Sequence, residues 1–483
     1  MPMRRLTLLA AFLTLVLCAA AEPADAQQSA PTPGAPAPAA ATIDPAALRD
    51  EAARLLAEYL RLDTTNPPGN ELAAAKFLQG LLAREGIEAR ILDSAELGPG
   101  RANLYARLRG SGAKKGIALV HHMDVVPVFR DQWSVDPFGG VVKDGYVYGR
   151  GALDDKGQGI VHLMTMIALK RAGVPLTRDL VFIANADEES DGLGAITFAK
   201  RHADLLRDVE FVVTEGGGSR VEGGKVKWFG VGVAEKRPYW VRLTVRGTTG
   251  HASIPTADNP VPRLAAAVAR LAAWETPVRV IPAVDRFFKA QAANETGEHR
   301  RWLLDAAAAL RTPRGRAWLL SDPERNALLR NTVTPTVFTG SPKTNVIPPS
   351  ASAEVDIRLL PDEDTTRFAR ELRRVVADPA VKVEVLPGVT PEYNAPLGTD
   401  LVRAVERVVA EVVPGAPVAT PLEAGASDRP TYSRLGIATY GVDPFLVEHE
   451  EERRGYHGND ERVSVANLEL GVRLFTRLIA ELQ

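Results

Sequence analysis

Thiols are almost absent from this 483-residue chain, whose single cysteine, Cys18, lies close to its start. One thiol closes no intrachain disulfide and builds no thiolate metal cage. A dominant charge is also missing. Lys and Arg number 58 against 60 Asp and Glu, a formal balance of −2 at pH 7. Such a balance points neither to nucleic acid nor to an anionic surface as partner. Long apolar runs are scarce too. The purest, from Leu6 to Ala21, is too short and too one-sided for a spanning helix.

That run follows Met1-Pro-Met-Arg-Arg and precedes small-residue sites at Ala19-Ala20-Ala21 and Ala24-Asp25-Ala26. Basic start, apolar stretch and A-x-A site are the layout of a secretory signal peptide, read here as residues 1–26. Secretion or a periplasmic location is therefore expected. Leu15-Val-Leu-Cys18 faintly resembles a lipoprotein site, but Leu17 is bulky for the position before the cysteine. Membrane attachment is expected only if Cys18 is lipidated. With the leader removed no thiol remains, so histidine, carboxylates and hydroxyls must carry any chemistry. Residues 27–43, with Pro31, Pro33, Pro36 and Pro38 among alanines, read as a tether.

Helical periodicity begins after Asp44, a candidate cap, with Leu48, Leu55, Leu56, Tyr59 and Leu60 on one stripe. Asn66-Pro67-Pro68-Gly69 interrupts it, and a second helix is predicted from about Glu71 to Glu85. Short apolar runs at Ile117, Leu180 and Val209 alternate with amphipathic stretches at Val161–Arg171 and Leu193–His202. This is the pattern of an α/β fold, a mainly parallel sheet with helices on both faces. From Pro238 the strands change character. Trp240–Arg246, Ala353–Leu359 and Val381–Leu386 alternate apolar with polar residues, as in an antiparallel sheet with one wet face. Between them, 262–330 reads as helical. The expected organisation is a catalytic domain in two parts, 44–236 and 389–483, with an inserted α+β domain at 237–388.

Ligands gather beyond the carboxyl ends of strands in an open parallel sheet. His121, His122 and Asp124 follow the first run, Asp187, Glu188 and Glu189 the second, and Glu215 with Gly216-Gly217-Gly218 the third. Asp154 and Asp155 close Gly149-Arg-Gly-Ala-Leu-Asp-Asp before a helix. Each has a plain structural reading as a turn, a helix cap or a hydrogen-bonded histidine. Together they are harder to dismiss. Several acids at one sheet edge repel and resist desolvation unless cations neutralise them. Two histidines and three carboxylates suit two divalent ions with positions left for water and substrate.

The motifs His122-Met-Asp-Val-Val-Pro127, Gly149-Arg-Gly-Ala-Leu-Asp-Asp-Lys-Gly157, Asp187-Glu-Glu189, Gly250-His-Ala-Ser253, Asn345-Val-Ile-Pro348 and His457-Gly-Asn-Asp-Glu461 occur in one order along the chain. In this they resemble the di-zinc metallopeptidase family of aminoacylase, acetylornithine deacetylase, succinyl-diaminopimelate desuccinylase and glutamate carboxypeptidase. Trp133–Phe138 and Gly145–Gly151 look most like its carboxypeptidase S branch. The resemblance implies that His122 and His457 bind one zinc each, that Asp154 bridges them, and that Glu189 and Glu215 complete the sites. Cobalt or manganese are implied substitutes. It further implies Glu188 as general base, Asp124 as the group holding His122, and a cis Asp154–Asp155 peptide. The inserted domain resembles a lid and dimerisation domain, which implies a homodimer and a His251 that reaches the partner's site to stabilise an oxyanion. Asn345, Arg358 and Arg429 match substrate contacts, although Arg358 beside Asp356 and Glu354 also reads as part of a surface charge ladder.

The implied activity is hydrolysis of an amide next to a free carboxylate, in an N-acyl amino acid or at a peptide's C-terminus. Glu215 leans towards the former and the carboxypeptidase S likeness towards the latter. Two rivals stand beside it. One is a dipeptidase or aminopeptidase of the same lineage, distinguished by a need for a free amino group. The other is a secreted binder without catalysis, against which every ligand and base position here holds a suitable residue.

Overall fold

Mostly apolar runs flanked by turns pair side by side to form the centre of the molecule. A computed structural model describes residues 45–483 apart from 94 and 389. The expected leader, the tether with Cys18 before it, and the Asp44 cap lie outside the described residues. A six-stranded sheet runs in the order Ala89–Leu92, Asn103–Leu108, Leu180–Asn185, Gly116–His122, Val209–Thr214, Ala438–Gly441. The first two pairings are antiparallel and the other three parallel. Strand alternation divides the apolar side chains between two cores. Ile117, Leu119, Phe182, Phe211 and Val213 meet the helices Pro45–Leu60, Lys156–Arg171 and Val465–Glu481. Ala118, Val120, Val181, Ile183 and Val212 meet Phe198, Leu206 and Tyr432 on the other face. Both faces are covered, as the purely apolar strands require.

The second helix runs from Glu71 to Arg84 and the fourth from Leu193 to Arg201, close to the predicted bounds. Ser464 caps the last helix, its hydroxyl accepting from the Asn467 N–H. Lys156–Arg171 departs from expectation. Every residue from Lys156 to Leu169 is buried. The helix is enclosed between the sheet and its neighbours, not amphipathic, and the sequence hides this because small and polar residues fill the close contacts. Among the described residues no helix is long and apolar enough to cross a membrane.

The alternating strands form a second, antiparallel sheet. Ser350–Leu359 pairs with Val241–Arg246 on one side and Thr332–Thr339 on the other, and Lys382–Val385 flanks Val241–Arg246. Its inner face (Val241, Leu243, Val245, Ala353, Val355 and Ile357) packs on helices Pro260–Ala272 and Thr365–Val376. Thr332–Thr339 was hidden from sequence reading by Pro335, which sits at the register shift of this strand. Short helices from Pro282 to Leu328 share an apolar core with Ala234, Ala419 and Leu422. Buried Lys236 ties them down, its Nζ donating to the carbonyls of Ala327 and Arg330 at 2.9 and 3.0 Å.

One core residue makes a pH prediction. His162 is fully buried, packs edge-on against Phe475 at 4.7 Å, and neither ring nitrogen has a hydrogen-bond partner. Burial pushes its imidazole down to about 3. The unfolded chain protonates this ring near pH 6.5, so unfolding takes up a proton between those values and stability falls as pH drops below about 6.5. His162→Leu, of similar volume, should flatten that fall. Urea unfolding of both chains at pH 7.5 and 5 checks it, and an unchanged pH dependence contradicts it.

Candidate metal centre

Parallel strands deliver their carboxyl ends to one edge, and the chemistry-bearing residues emerge there. His122 is the last residue of Gly116–His122, and Glu215 directly follows Val209–Thr214. Glu188 and Glu189 follow Leu180–Asn185 through Asp187, whose φ of 67° turns the chain sharply. Asp187 closes that turn by accepting the Leu193 N–H at 3.1 Å, the cap suspected from sequence. Asp154 comes from the turn before Lys156–Arg171, and the Asp154–Asp155 peptide is cis. The Asp155 side chain does not cap that helix. The glycines after Glu215 have a steric cause. A Cβ on Gly217, at φ 93°, would lie 2.7 Å from the Gly230 carbonyl oxygen.

Two donor triads result. His122, Asp154 and Glu215 form one, and Asp154, Glu189 and His457 the other. His122 Nε2 lies 3.0 Å from Asp154 Oδ1 and 3.7 Å from Glu215 Oε2. His457 Nε2 lies 3.1 Å from Asp154 Oδ2 and 3.2 Å from Glu189 Oε2. Asp154 thus offers one oxygen to each side. Imidazole nitrogens and carboxylate oxygens, with one carboxylate shared, fit a pair of borderline divalent cations such as zinc.

Buried supports hold this arrangement, and sequence reading assigned no role to two of them, Glu461 and Arg150. Glu461 is fully buried. Its carboxylate accepts from the backbone N–H groups of Gly151, Leu153 and Asp154 at 3.0, 2.7 and 3.1 Å and from Arg150 at 2.7 Å. One side chain thereby joins the turn carrying Asp154 to the segment carrying His457. The Arg150 guanidinium also lies over the Trp133 ring at 5.4 Å. Asp124 reaches His122 chiefly through its backbone. Its backbone carbonyl meets His122 Nδ1 at 3.0 Å, while the nearer carboxylate oxygen is 3.7 Å away. The carboxylate instead accepts the N–H groups of Glu188 and Glu189 at 3.1 and 3.0 Å.

Crowding sets the electrostatics. Burial raises Glu188 well above the carboxylate range, with Glu215 adding to the effect. Burial and then Asp154 lift Glu189 to about 7, and burial raises Asp428 to about 8 and Asp443 to about 6. Hydrogen bonds to Asp154 and Glu189 raise His457 to about 10. So many acids cannot all ionise in a buried space without positive charge among them, and divalent cations supply it while displacing the histidine protons.

A cavity of about 340 Å³ opens beside Asp154 and Glu215, walled by Gly216–Gly218, Pro421, Glu423–Ser427, Asp443 and Tyr456. Arg429 lines it but is not available for a substrate carboxylate. Its Nε donates to Ser427 at 2.8 Å, Nη1 to Glu423 at 2.8 Å, and Nη2 reaches Glu235 at 2.9 Å. The expectation for Arg429 is corrected on that ground: its fork is filled by buried Glu235 and half-buried Glu423. Arg358 pairs with Asp356 at 2.9 Å and covers the Trp240 ring. His251 and Asn345 are exposed and neighbours, through the His251–Val346 register pair and the Ala252 N–H to the Asn345 carbonyl at 3.0 Å. His251 Nδ1 meets the Ser253 hydroxyl at 2.7 Å. No described hydrogen bond or ion pair links His251, Asn345 or Arg358 to the triads. Asp428, held by Asn185 at 2.7 Å, escaped sequence reading because nothing marked it apart from its neighbour Arg429.

Two imidazoles and three carboxylates, one of them shared, at the carboxyl edge of a parallel sheet are the parts of a two-metal hydrolase. Residues 118–481 match the profile of peptidase family M20/M25/M40, and the chain belongs to this family of metal-dependent hydrolases. It is thus an enzyme of the metallopeptidase or amidohydrolase type. The chain is 32% identical over 375 residues to the human "N-fatty-acyl-amino acid synthase/hydrolase PM20D1", covering 75% of this chain and 73% of the relative. It is 26% identical over 439 residues to aminoacylase-1 of Pongo abelii, covering 89% of this chain and 94% of that one. The fold is similar to that of the M20 metallo-carboxypeptidase Sso-CP2 of Sulfolobus solfataricus, with a TM-score of 0.71, 19% identity and coverage of 89% and 98%.

Removing the Glu461 carboxylate leaves Arg150 buried without its charge partner and three N–H groups without their acceptor. Glu461→Ala should lose about 3–5 kcal/mol of stability, read by urea unfolding of the metal-free chain. A loss below about 1 kcal/mol, the range of exposed ion pairs, contradicts the anchoring role.

Proposed function

We propose that this chain is an exported, zinc-dependent hydrolase of amides next to a free carboxylate, with N-acyl amino acids as first substrate class and C-terminal peptide bonds as the second. One observation carries the reading. Glu188 is half-buried beside the two triads, its backbone N–H is held by Asp124, and no described hydrogen bond ends on its carboxylate. That is the condition of a base kept ready for a substrate-borne proton. The relatives named for N-fatty-acyl-amino acids and for aminoacylase support the substrate class.

In this reading His122, Asp154 and Glu215 hold one zinc and Asp154, Glu189 and His457 the other. When bound, the ions supply Lewis acidity that acidifies water and polarises the amide carbonyl. Glu188 takes the proton of the attacking water and passes it to the leaving amine. Burial, with Glu215 adding to the effect, raises its pKa, so its carboxyl holds a proton taken from water more readily than an exposed glutamate would. His251 from a second copy, presented by the 237–388 segment, donates to the developing oxyanion. Asn345 and Arg358 contact the substrate, Arg358 exchanging Asp356 for its carboxylate.

The purified chain from about residue 27 should carry two zinc ions and hydrolyse N-acetyl amino acids or carbobenzoxy-blocked dipeptides, with activity lost to a chelator and restored by zinc. Glu188→Ala should lower kcat about 10²- to 10⁴-fold with metal content unchanged. Wild-type rates in that variant contradict the base assignment. A zinc-loaded protein inert towards both substrate sets contradicts the substrate class.

A further inference from the structure

The structure assigns Asn66 as a positioning residue that cross-ties the two strand ends carrying His122 and Glu188–Glu189, and so sets where the base and two metal ligands stand. The inference rests on the two-metal reading above for its catalytic meaning and on geometry alone for the cross-tie.

Asn66 lies in the turn between the first two helices, in Asn66-Pro-Pro-Gly69. It is 3% exposed, and its single amide nitrogen donates to two carboxylates at once: Asp124 Oδ2 at 2.7 Å and Asp187 Oδ1 at 2.9 Å. An amide nitrogen has two hydrogens, and both are spent on carboxylates that are themselves 0% and 2% exposed. The two acids belong to different strand ends. Asp124 follows Gly116–His122, whereas Asp187 follows Leu180–Asn185.

Each acid passes the constraint on. Asp124 receives the backbone N–H groups of Glu188 and Glu189. Asp187 receives Leu193 N–H through Oδ2, and its Oδ1 also accepts from Arg101 at 2.7 Å. Arg101 is held in turn by fully buried Glu71 at 2.6 and 3.0 Å. The backbone around Asn66 is clamped to the same strand end. Asn66 N–H donates to the Val125 carbonyl at 2.9 Å, Val125 N–H to the Thr64 carbonyl at 3.2 Å, and the Thr64 hydroxyl to the Met123 carbonyl at 2.7 Å. The side chain therefore cannot swing away, and its two hydrogen bonds fix the distance between the strand ends.

A donor is required here, not a shape. Replacing the amide nitrogen by oxygen keeps the volume but sets a third carboxylate against Asp124 and Asp187, and like charges in a buried space repel. Asn66→Asp should therefore be worse than Asn66→Ala. A purely packing role predicts the reverse, with the near-isosteric aspartate mild and alanine damaging.

Hydrogen exchange on the metal-free chain is the primary test and does not depend on activity. In Asn66→Ala the Glu188 and Glu189 amides should exchange about tenfold faster, and faster still in Asn66→Asp, while the Leu153 and Asp154 amides held by Glu461 keep wild-type rates. Zinc affinity, read by competition with a chelating dye, should fall about 10- to 100-fold in Asn66→Ala, the usual cost of losing a support behind a metal ligand. In the hydrolytic assay kcat should fall with KM little changed. Unchanged exchange at Glu188 and Glu189, acceleration spread over the whole chain, or aspartate milder than alanine overturns the assignment. Should Asn66→Asp fail to fold, Asn66→Ala and Arg101→Lys, which retains one donor towards Asp187, are read by the same local exchange. There Arg101→Lys should fall between wild type and Asn66→Ala, and wild-type exchange in Asn66→Ala overturns the role. A wild-type chain that binds zinc but hydrolyses nothing defeats the substrate proposal and leaves the exchange result to decide on Asn66.

Discussion

Carboxylates crowded at one edge of a parallel sheet are the constraint on which the rest of this structure depends. Three parallel pairings bring Asp124, Glu188, Glu189, Glu215 and Asp443 to one end of the molecule, and the starts of the helices Lys156–Arg171 and Arg429–Ser433 add Asp154, Asp155 and Asp428. Burial raises the pKa of Asp155, Glu188, Glu189, Asp428 and Asp443, whereas hydrogen bonds to histidine outweigh burial at Asp124 and Asp154 and lower theirs. The fold answers with positive charge and hydrogen-bond donors, and the way these are distributed separates acids saturated with partners from those with few or none.

The structural acids are saturated. Glu461 takes three backbone N–H groups and Arg150, and Asp187 takes Asn66, Arg101 and a helix N-terminus. Glu423 and Glu235 share the Arg429 guanidinium. The triad acids and Glu188 face mainly histidine or nothing. Asp154 and Glu189 meet His122 and His457, and the Glu188 carboxylate has no described hydrogen bond. A family of metal-dependent hydrolases is the setting in which this division makes chemical sense, since cations complete the groups that the protein leaves incomplete.

The helical insertion is built into the same frame. Lys236 joins the 237–359 sheet region to the last turns of the insertion. Arg220 and His449 meet Glu324 from the side of the helix that precedes His457. Segments distant in sequence therefore brace the outer ligand loop, and none of those pairings shows a periodic or spaced pattern from which they could have been read.

By itself the sequence determined the alternation of apolar runs and helices, the change to one-faced strands after Pro238, and the placing of His122, Glu188, Glu189 and Glu215 at strand ends. These follow from local periodicity and from the direction of parallel strands, which adjacent residues encode. It could not show that the Val161–Arg171 stretch is enclosed on all sides, that Pro335 sits in a strand, or that the Asp124 carboxylate holds the Glu188 and Glu189 amides more closely than the His122 ring. Nor could it show that Arg429 is consumed by Glu423 and Glu235, or that Asn66 and Glu461 tie the site together. Those depend on which groups from remote segments meet at 3 Å. A hydrogen bond between residues 58 or 310 positions apart leaves no period in the chain. Only the packed structure decides which buried acid is satisfied and which is left free to react.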